Sequence, residues 1–203
     1  MNTFSGFIYS ALEWITKFAY INVLWILFTL AGGIILGLYP ATTALYAVVR
    51  DWLKGNTDAP VAASFFHFYK RDFIKSNKLG LFITALGLLV LLNLQYIQAS
   101  PALTWIHIPL FAFVLLFILF ICYVFPAFVH FDVTTRKVMH HAFLLLLVNP
   151  LHTAAMALML AAAFFLMSLL PALLFIFGAS VFAFITMWIC FHMLQKVGRT
   201  NAS

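Results

Sequence analysis

Between Leu151 and His192 the chain runs for 42 residues without a single Asp, Glu, Lys or Arg. As one helix it would reach about 63 Å, roughly twice the ~30 Å hydrocarbon core of a bilayer. Pro171 falls near the middle of that run, where a helix would lose a hydrogen bond and clash with its preceding turn. The run is therefore read as two spans, 151–170 and 172–192, meeting in a tight hairpin. Three further apolar stretches, 20–38, 79–97 and 105–129, have about the 20-residue length that crosses hydrocarbon as a helix. Of the whole chain 66% is hydrophobic and 8% charged, against about 25% charged in a soluble domain. A water-soluble fold is excluded. The expected fold class is an all-α membrane protein, a single domain over 1–203 with five transmembrane helices.

Charge sets the expected orientation. The chain has 11 Lys and Arg against 5 Asp and Glu, and Lys and Arg collect in short cytoplasmic connections. The connection 39–78 carries Arg50, Lys54, Lys70, Arg71, Lys75 and Lys78; the connection 130–150 carries Arg136 and Lys137; the tail carries Lys196 and Arg199. The other side would hold Lys17 alone, because 98–104 and the turn at Pro171 are uncharged. This predicts a multi-pass protein of the cell membrane, amino terminus outside and carboxyl terminus cytoplasmic. The same positive excess is topological, and no nucleic-acid partner is expected.

The first residues lack a basic leader and read as mature protein. Phe7, Ile8, Ala11, Leu12, Ile15 and Phe18 recur at helical spacing opposite Ser10, Glu13, Thr16 and Lys17, describing an amphipathic amino-terminal helix that lies in the interface or packs on the bundle. The connection 39–78 is too long for a turn. A helix is expected to resume after Pro40, run through Trp52 and stop near Gly55-Asn56. The stretch from Ser64 to Lys75 then interleaves aromatics with cations, as expected of an interfacial helix whose basic side chains snorkel to phosphate. Anchoring in membrane lipids is one role for it, and docking of a cytoplasmic partner is the other. The candidate contacts with partner or lipid are Arg50, Trp52, Lys54, Tyr69, Lys70, Arg71, Asp72, Arg136 and Lys137. A faint echo at an offset of 86 residues pairs Tyr39-Pro40-Ala41 and Arg50 with Phe125-Pro126-Ala127 and Arg136.

Chemistry is sparse. The 7 histidines show no i, i+4 pair, and a metal site needs a compact ligand set, so no metal and no other cofactor is expected. All 5 acidic residues fall outside the expected spans, which disfavours a proton-coupled carrier. No metalloprotease, nucleophile-elbow or phosphate-loop motif occurs, so the protein is not expected to be an enzyme, and any ATP used must come from a partner. Cys122 and Cys190 sit inside apolar runs as small hydrophobes. Gly33 and Gly37 would let the first span approach a neighbour closely. Asn22, Asn93 and Gln95, with Tyr96 and Trp105, form a polar collar; the first three are the candidates for a polar cavity inside the bundle.

The segment from Gly37 to Gly55, with its Pro-Ala-Thr-x-Ala-Leu core and Arg50-Asp51-Trp52, resembles the YesL family of small bacterial membrane proteins. Phe68 to Asn77, and Asn22 to Trp25 entering the first span, are similar to that family's pattern, although Asp72 stands where many relatives have Asn. The likeness runs from about residue 4 to 195 and is strongest up to Gly80. The family is one of unknown function, associated with carbohydrate uptake by ATP-driven importers. The resemblance therefore implies an accessory or regulatory membrane protein touching permease subunits of a carbohydrate ABC importer, with no catalytic residues to carry over. The alternative is a stand-alone small transporter or lipid-handling protein.

Overall fold

Among the described residues apolar length and helical periodicity become seven helices: α1 (Thr3–Ala31), α2 (Ile35–Leu53), α3 (Val61–Gln98), α4 (His107–Phe131), α5 (Thr135–Val148), α6 (Pro150–Leu169) and α7 (Pro171–Thr200). The computed structural model describes the backbone of residues 3–98, 107–131 and 133–200, and the side chains of 6–95, 108–131 and 133–195. No strand occurs among the described residues. Among the described residues five helices are long and apolar enough to cross a membrane: Gly6–Ala31, Val61–Gln95, Ile108–Phe131, Pro150–Leu169 and Pro171–Gln195. Residues 99–104 of the expected outer connection lie outside the described residues, as do Trp105 and Asp132 and the side chains of Tyr96, Lys196 and Arg199.

The last two expected spans are found almost as read. Pro171 opens α7 directly after α6 ends at Leu169, where its missing N–H costs nothing because first-turn donors have no intrahelical partner. Leu170 closes the turn, its N–H donating to the Met167 carbonyl at 3.2 Å. The expected span 79–97 proves to be the second half of α3, a helix of 38 residues that fuses with the aromatic-basic segment before it. The connection 130–150 holds α5, which buries Val138, Ala142 and Leu146 at i, i+4 and i+8.

The first expected span, 20–38, is corrected. Its apolar run contains a reversal: α1 ends at Ala31, Gly33 and Ile34 take positive φ of 73° and 65°, and α2 returns antiparallel to α1. Trp14 packs edge-on to Trp52 at 5.7 Å, and the Trp25 indole donates to Thr42 Oγ1 at 3.1 Å. A left-handed residue is ordinary for glycine and costly for β-branched Ile34, so the turn is held by its surroundings. Gly32 and Gly37 meet across it so closely that a Cβ on Gly32 would collide with the Gly37 backbone. The glycines expected to serve packing within one span instead close a hairpin.

The reading of 39–78 as a peripheral connection is corrected as well. The segment from Tyr39 to Leu53 lies in α2, the most enclosed helix of the bundle, which buries Gly37, Pro40, Ala41, Thr43 to Val49 and Trp52 and packs against α1, α3, α4 and α7. Its polar groups are met internally. Tyr46 shares a hydrogen bond with Thr186 of α7 at 2.9 Å and stacks on Phe125 of α4 at 5.5 Å, while Tyr39 shares one with Thr84 of α3 at 2.6 Å. Burial of an amphipathic aromatic is favourable when its hydroxyl finds a partner. Tyr123 of α4 repeats the device with Thr153 of α6 at 2.9 Å. The large apolar side chains left exposed, such as Phe7, Leu12, Ile35, Phe111, Leu158 and Phe175, form the outward surface that a lipid solvent accepts. Phe7, Ile8, Leu12 and Ile15 belong to it, so the apolar stripe of the amino-terminal helix faces outward, and Trp14 and Phe18 make its packing contacts.

Gly80 marks the closest approach of α3 to α2, since a Cβ there would collide with the Tyr39 ring. Gly80→Ala is expected to force Tyr39 from Thr84 and lower unfolding stability by about 1–3 kcal/mol, the usual cost of overpacking. Gly87→Ala, in open space on the same helix, should be neutral or stabilising by up to ~1 kcal/mol. Thermal unfolding of the two variants in one detergent checks the pair, and equal midpoints would refute the contact.

Candidate functional site

Basic side chains outside the apolar core are the features with chemistry, and they fall in two places. The first is where α2 ends. Arg50 stands in the last turn of α2, and one of its Nη atoms donates to the Val129 carbonyl, which belongs to the last turn of α4 and has no intrahelical donor. The other Nη lies 3.6 Å from Asp51 Oδ1. Beside it, His130 packs against Phe131 and Phe191 at 5.0 and 6.4 Å, and Phe131 stacks on His141 at 4.6 Å. Four helices, α2, α4, α5 and α7, thus meet around one guanidinium and two imidazoles. Arg50 Nε and His130 Nδ1 are buried without a hydrogen-bond partner.

The second place is the start of α3. Ala63, Phe66, His67, Lys70 and Arg71 line an open concavity of about 540 Å³. Arg71 is not a loose cation: its Nη2 lies 2.6 Å from Asp72 Oδ2, its Nε lies 3.1 Å from the same oxygen, and its guanidinium sits 5.0 Å from the centre of the Phe68 ring. Asp72 is 4% exposed, so the carboxylate that sequence offered as a contact is buried and acts by orienting Arg71. Ser76 donates to the Asp72 carbonyl at 2.5 Å.

The nine expected contact residues therefore separate. Lys54, Lys70, Arg136 and Lys137 are exposed, and the Arg71 side chain is about half so. Trp52, at 5% exposure, is corrected from contact to core: it closes an aromatic cluster with Trp14 and Phe18, at 5.7 and 5.9 Å. Tyr69 turns inward, its hydroxyl donating to the Phe28 carbonyl at 3.3 Å. Lys17, expected alone on a bare outer side, bonds to Glu13 at 2.6 Å and to the Thr57 carbonyl at 3.1 Å, in the loop that follows Lys54. It therefore marks no separate face. Charge patterning could not reveal this, because it rested on a reversal of the chain that hydropathy does not register.

The candidate polar cavity is not assembled. Asn22 is 2% exposed and spends its amide on α7, donating to the Phe175 carbonyl at 2.8 Å and accepting from the Ser180 N–H at 3.2 Å. Asn93 bonds to Leu89 of its own helix at 2.7 Å and, like Gln95, is exposed. An inner cleft of about 280 Å³ does exist, lined in part by Trp25, Thr42, Tyr46, Cys122 and Thr186. Its indole and hydroxyl groups are already paired with one another. Among the described residues no three His, Cys, Asp or Glu side chains come together as a metal site would require. The sequence echo also parts company here: Arg50 is inside the bundle, and Arg136 lies exposed at the start of α5.

Comparison with known proteins adds lineage. Residues 18–94 match the family described as "Protein of unknown function, DUF624". Three proteins of Bacillus subtilis (strain 168) are similar over most of the chain. The uncharacterised protein YteU is 38% identical over 188 residues, covering 91% of this chain and 84% of its own. The uncharacterised protein YesV is 34% identical over 198 residues, covering 96% and 94%. The uncharacterised protein YesL is 41% identical over 149 residues, covering 71% and 68%. No solved structure matches.

The division into core and surface is testable. Trp52→Ala is expected to cost about 3–5 kcal/mol, as for a buried large aromatic, whereas Lys70→Ala should stay within about 0.5 kcal/mol of the parent. Asn22→Ala, which loses bonds between helices, should fall between them at about 0.6–1.7 kcal/mol. Denaturant titration of the purified variants in one detergent would rank them, and a Trp52→Ala protein as stable as Lys70→Ala would return Trp52 to the surface.

Proposed function

The chain belongs to the YesL family, and from that premise we propose that it is a non-enzymatic integral membrane protein serving as an accessory or regulatory component of ATP-driven carbohydrate uptake. The observation that supports this reading is the state of the interior. Ile21, Leu45, Val49, Phe65, Tyr123 and Met187 are among the residues that fill it, and the polar groups Asn22, Tyr46 and Tyr123 are bonded to neighbouring helices. A carrier needs a polar passage near the middle of its bundle, and those groups are spent on holding helices together. What remains for recognition is outside: Lys70 on α3, and Arg136 and Lys137 on α5. These cations would pair with carboxylates of permease subunits, the neighbouring aromatics fixing depth. The carbohydrate class comes from the family's association with sugar importers and not from any feature of this interior.

The same reading places the basic segment of α3, the start of α5 and the carboxyl-terminal Lys196 and Arg199 on the cytoplasmic side, following the preference of Lys and Arg for that side.

Affinity isolation of the tagged full chain from native membranes in mild detergent is expected to recover importer permease subunits. The doubly reversed variant Lys70→Glu with Arg136→Glu should recover at least tenfold less, since each reversal replaces an attractive contact with a repulsive one. Isolation that brings down no transport subunit, or the same amount with the variant, sinks the proposal. Reporter fusions at residues 75 and 199 should both score cytoplasmic.

A further inference from the structure

Helix α3 changes character at Lys78. Its charged residues are Lys70, Arg71, Asp72, Lys75 and Lys78, and none occurs from Leu79 to Gln98. Those 20 uncharged residues rise about 30 Å, enough for the hydrocarbon core, so Lys78 stands where acyl chain gives way to headgroup. At that point α3 and the start of α2 enclose a groove of about 450 Å³, within the ~300–1,000 Å³ range of ligand sites. Its walls are Ile35, Leu36, Phe73, Ile74 and Leu81, its inner end is the Tyr39–Thr84 hydrogen bond, and Lys78 with Asn77 stands at the polar rim. Ile35, Ile74 and Leu81 are 78%, 70% and 73% exposed, an apolar surface larger than water would tolerate. The Asn77 amide is committed to the Phe73 carbonyl at 2.9 Å, whereas Lys78 is exposed and forms no ion pair among the described residues.

We propose that this groove is a binding site for one anionic phospholipid, an acyl chain lying along Ile35, Leu36 and Leu81 and the phosphodiester paired with the Lys78 ammonium. The groove is a product of the α2 reversal. Only because the chain turns back at Gly32 to Ile34 do Ile35 and Leu36 come to face Ile74 and Leu81 beside a lysine. The charge identifies the occupant: an apolar trough flanked by a cation that forms no ion pair among the described residues complements a molecule with an apolar chain and a negative group. The site goes beyond the accessory role and does not depend on it, since it needs only the bilayer.

The test is native mass spectrometry of the full chain released from nanodiscs made of phosphatidylglycerol or of phosphatidylcholine. One retained phosphatidylglycerol per chain is expected, with phosphatidylcholine retained several-fold less. Lys78→Ala should lower phosphatidylglycerol retention about fivefold, the effect of about 1 kcal/mol for one interfacial lysine, and Lys78→Arg should restore it. Leu81→Trp, which fills the trough and leaves the cation, should also abolish retention. Circular dichroism and a monodisperse elution profile confirm that each variant is folded, and the Lys78 pair decides the matter if Leu81→Trp is not. Equal retention of the two lipids overturns the proposal, as does a Lys78→Ala protein that keeps its lipid. Displacement of the lipid by millimolar inorganic phosphate would show that the trough holds no chain and would overturn it too. So would efficient disulfide formation between two Leu81→Cys copies in the membrane, which would make a second copy the occupant.

Discussion

A helix enclosed on nearly every side is the constraint on which this bundle depends. Helix α2 carries Thr42, Thr43, Tyr46 and Arg50 as well as Pro40, and on hydropathy alone it is not among the five helices suited to lipid. Enclosure removes that difficulty. Where neighbouring helices replace lipid, polar side chains are tolerated if each finds a partner. The partners are supplied from four directions: Trp25 of α1, Thr84 of α3, the Val129 carbonyl of α4 and Thr186 of α7. The outer helices are then free to be apolar on their far sides, and they are.

Close approach is the second half of the arrangement. Glycine at 32, 37 and 80 lets backbone or ring take the space of a side chain, and dispersion falls off so steeply that this proximity carries much of the attraction between helices that share an apolar solvent. The hydroxyl pairs add direction to that attraction. Tyr39–Thr84, Tyr46–Thr186 and Tyr123–Thr153 each join two helices at a level set by the reach of a tyrosine, which restricts sliding. Asn22 restricts α7 against α1 in the same way, through both ends of its amide. A bundle built like this is rigid at its centre and offers chemistry at its margins, at the basic start of α3, at the exposed cations of α5 and in the groove beside Lys78.

Legibility in the sequence followed the range of each signal. Pro171 and the uncharged runs around it are local, and the turn between α6 and α7 emerged within one residue of where it was read, although α7 runs on to Thr200. The exposed state of Lys54, Lys70, Arg136 and Lys137 was legible because Lys and Arg are seldom fully buried. Trp52 and Asp72 were misplaced for the opposite reason. Each sits among charged residues in the chain, yet Trp52 packs on Trp14, which is far away in sequence, and Asp72 is buried while bonded to its neighbour Arg71, a pairing that carries no signal of depth. The Arg50–His130 meeting had no sequence signal, as its members are 80 residues apart and the echo around Pro126 pointed to Arg136 instead.

By itself the sequence determined the helical class, the number of helices apolar enough to cross a membrane among the described residues, and the family. The helical class and the number of helices follow from composition and from runs of about 20 residues, which helical rise converts into length without reference to any other part of the chain, whereas the family follows from the resemblance of Gly37 to Gly55 and its neighbouring segments. Tertiary structure alone decided that residues 20–38 hold the end of α1, a reversal and the start of α2 and not one span, that the helix over 39–53 is interior, and that Asn22 is a clasp and not a ligand donor. Hydropathy measures the cost of transferring a residue to lipid and is blind to whether another helix stands there first. The backbone angle at Gly33 and the pairing of polar atoms across helices are what settle that question.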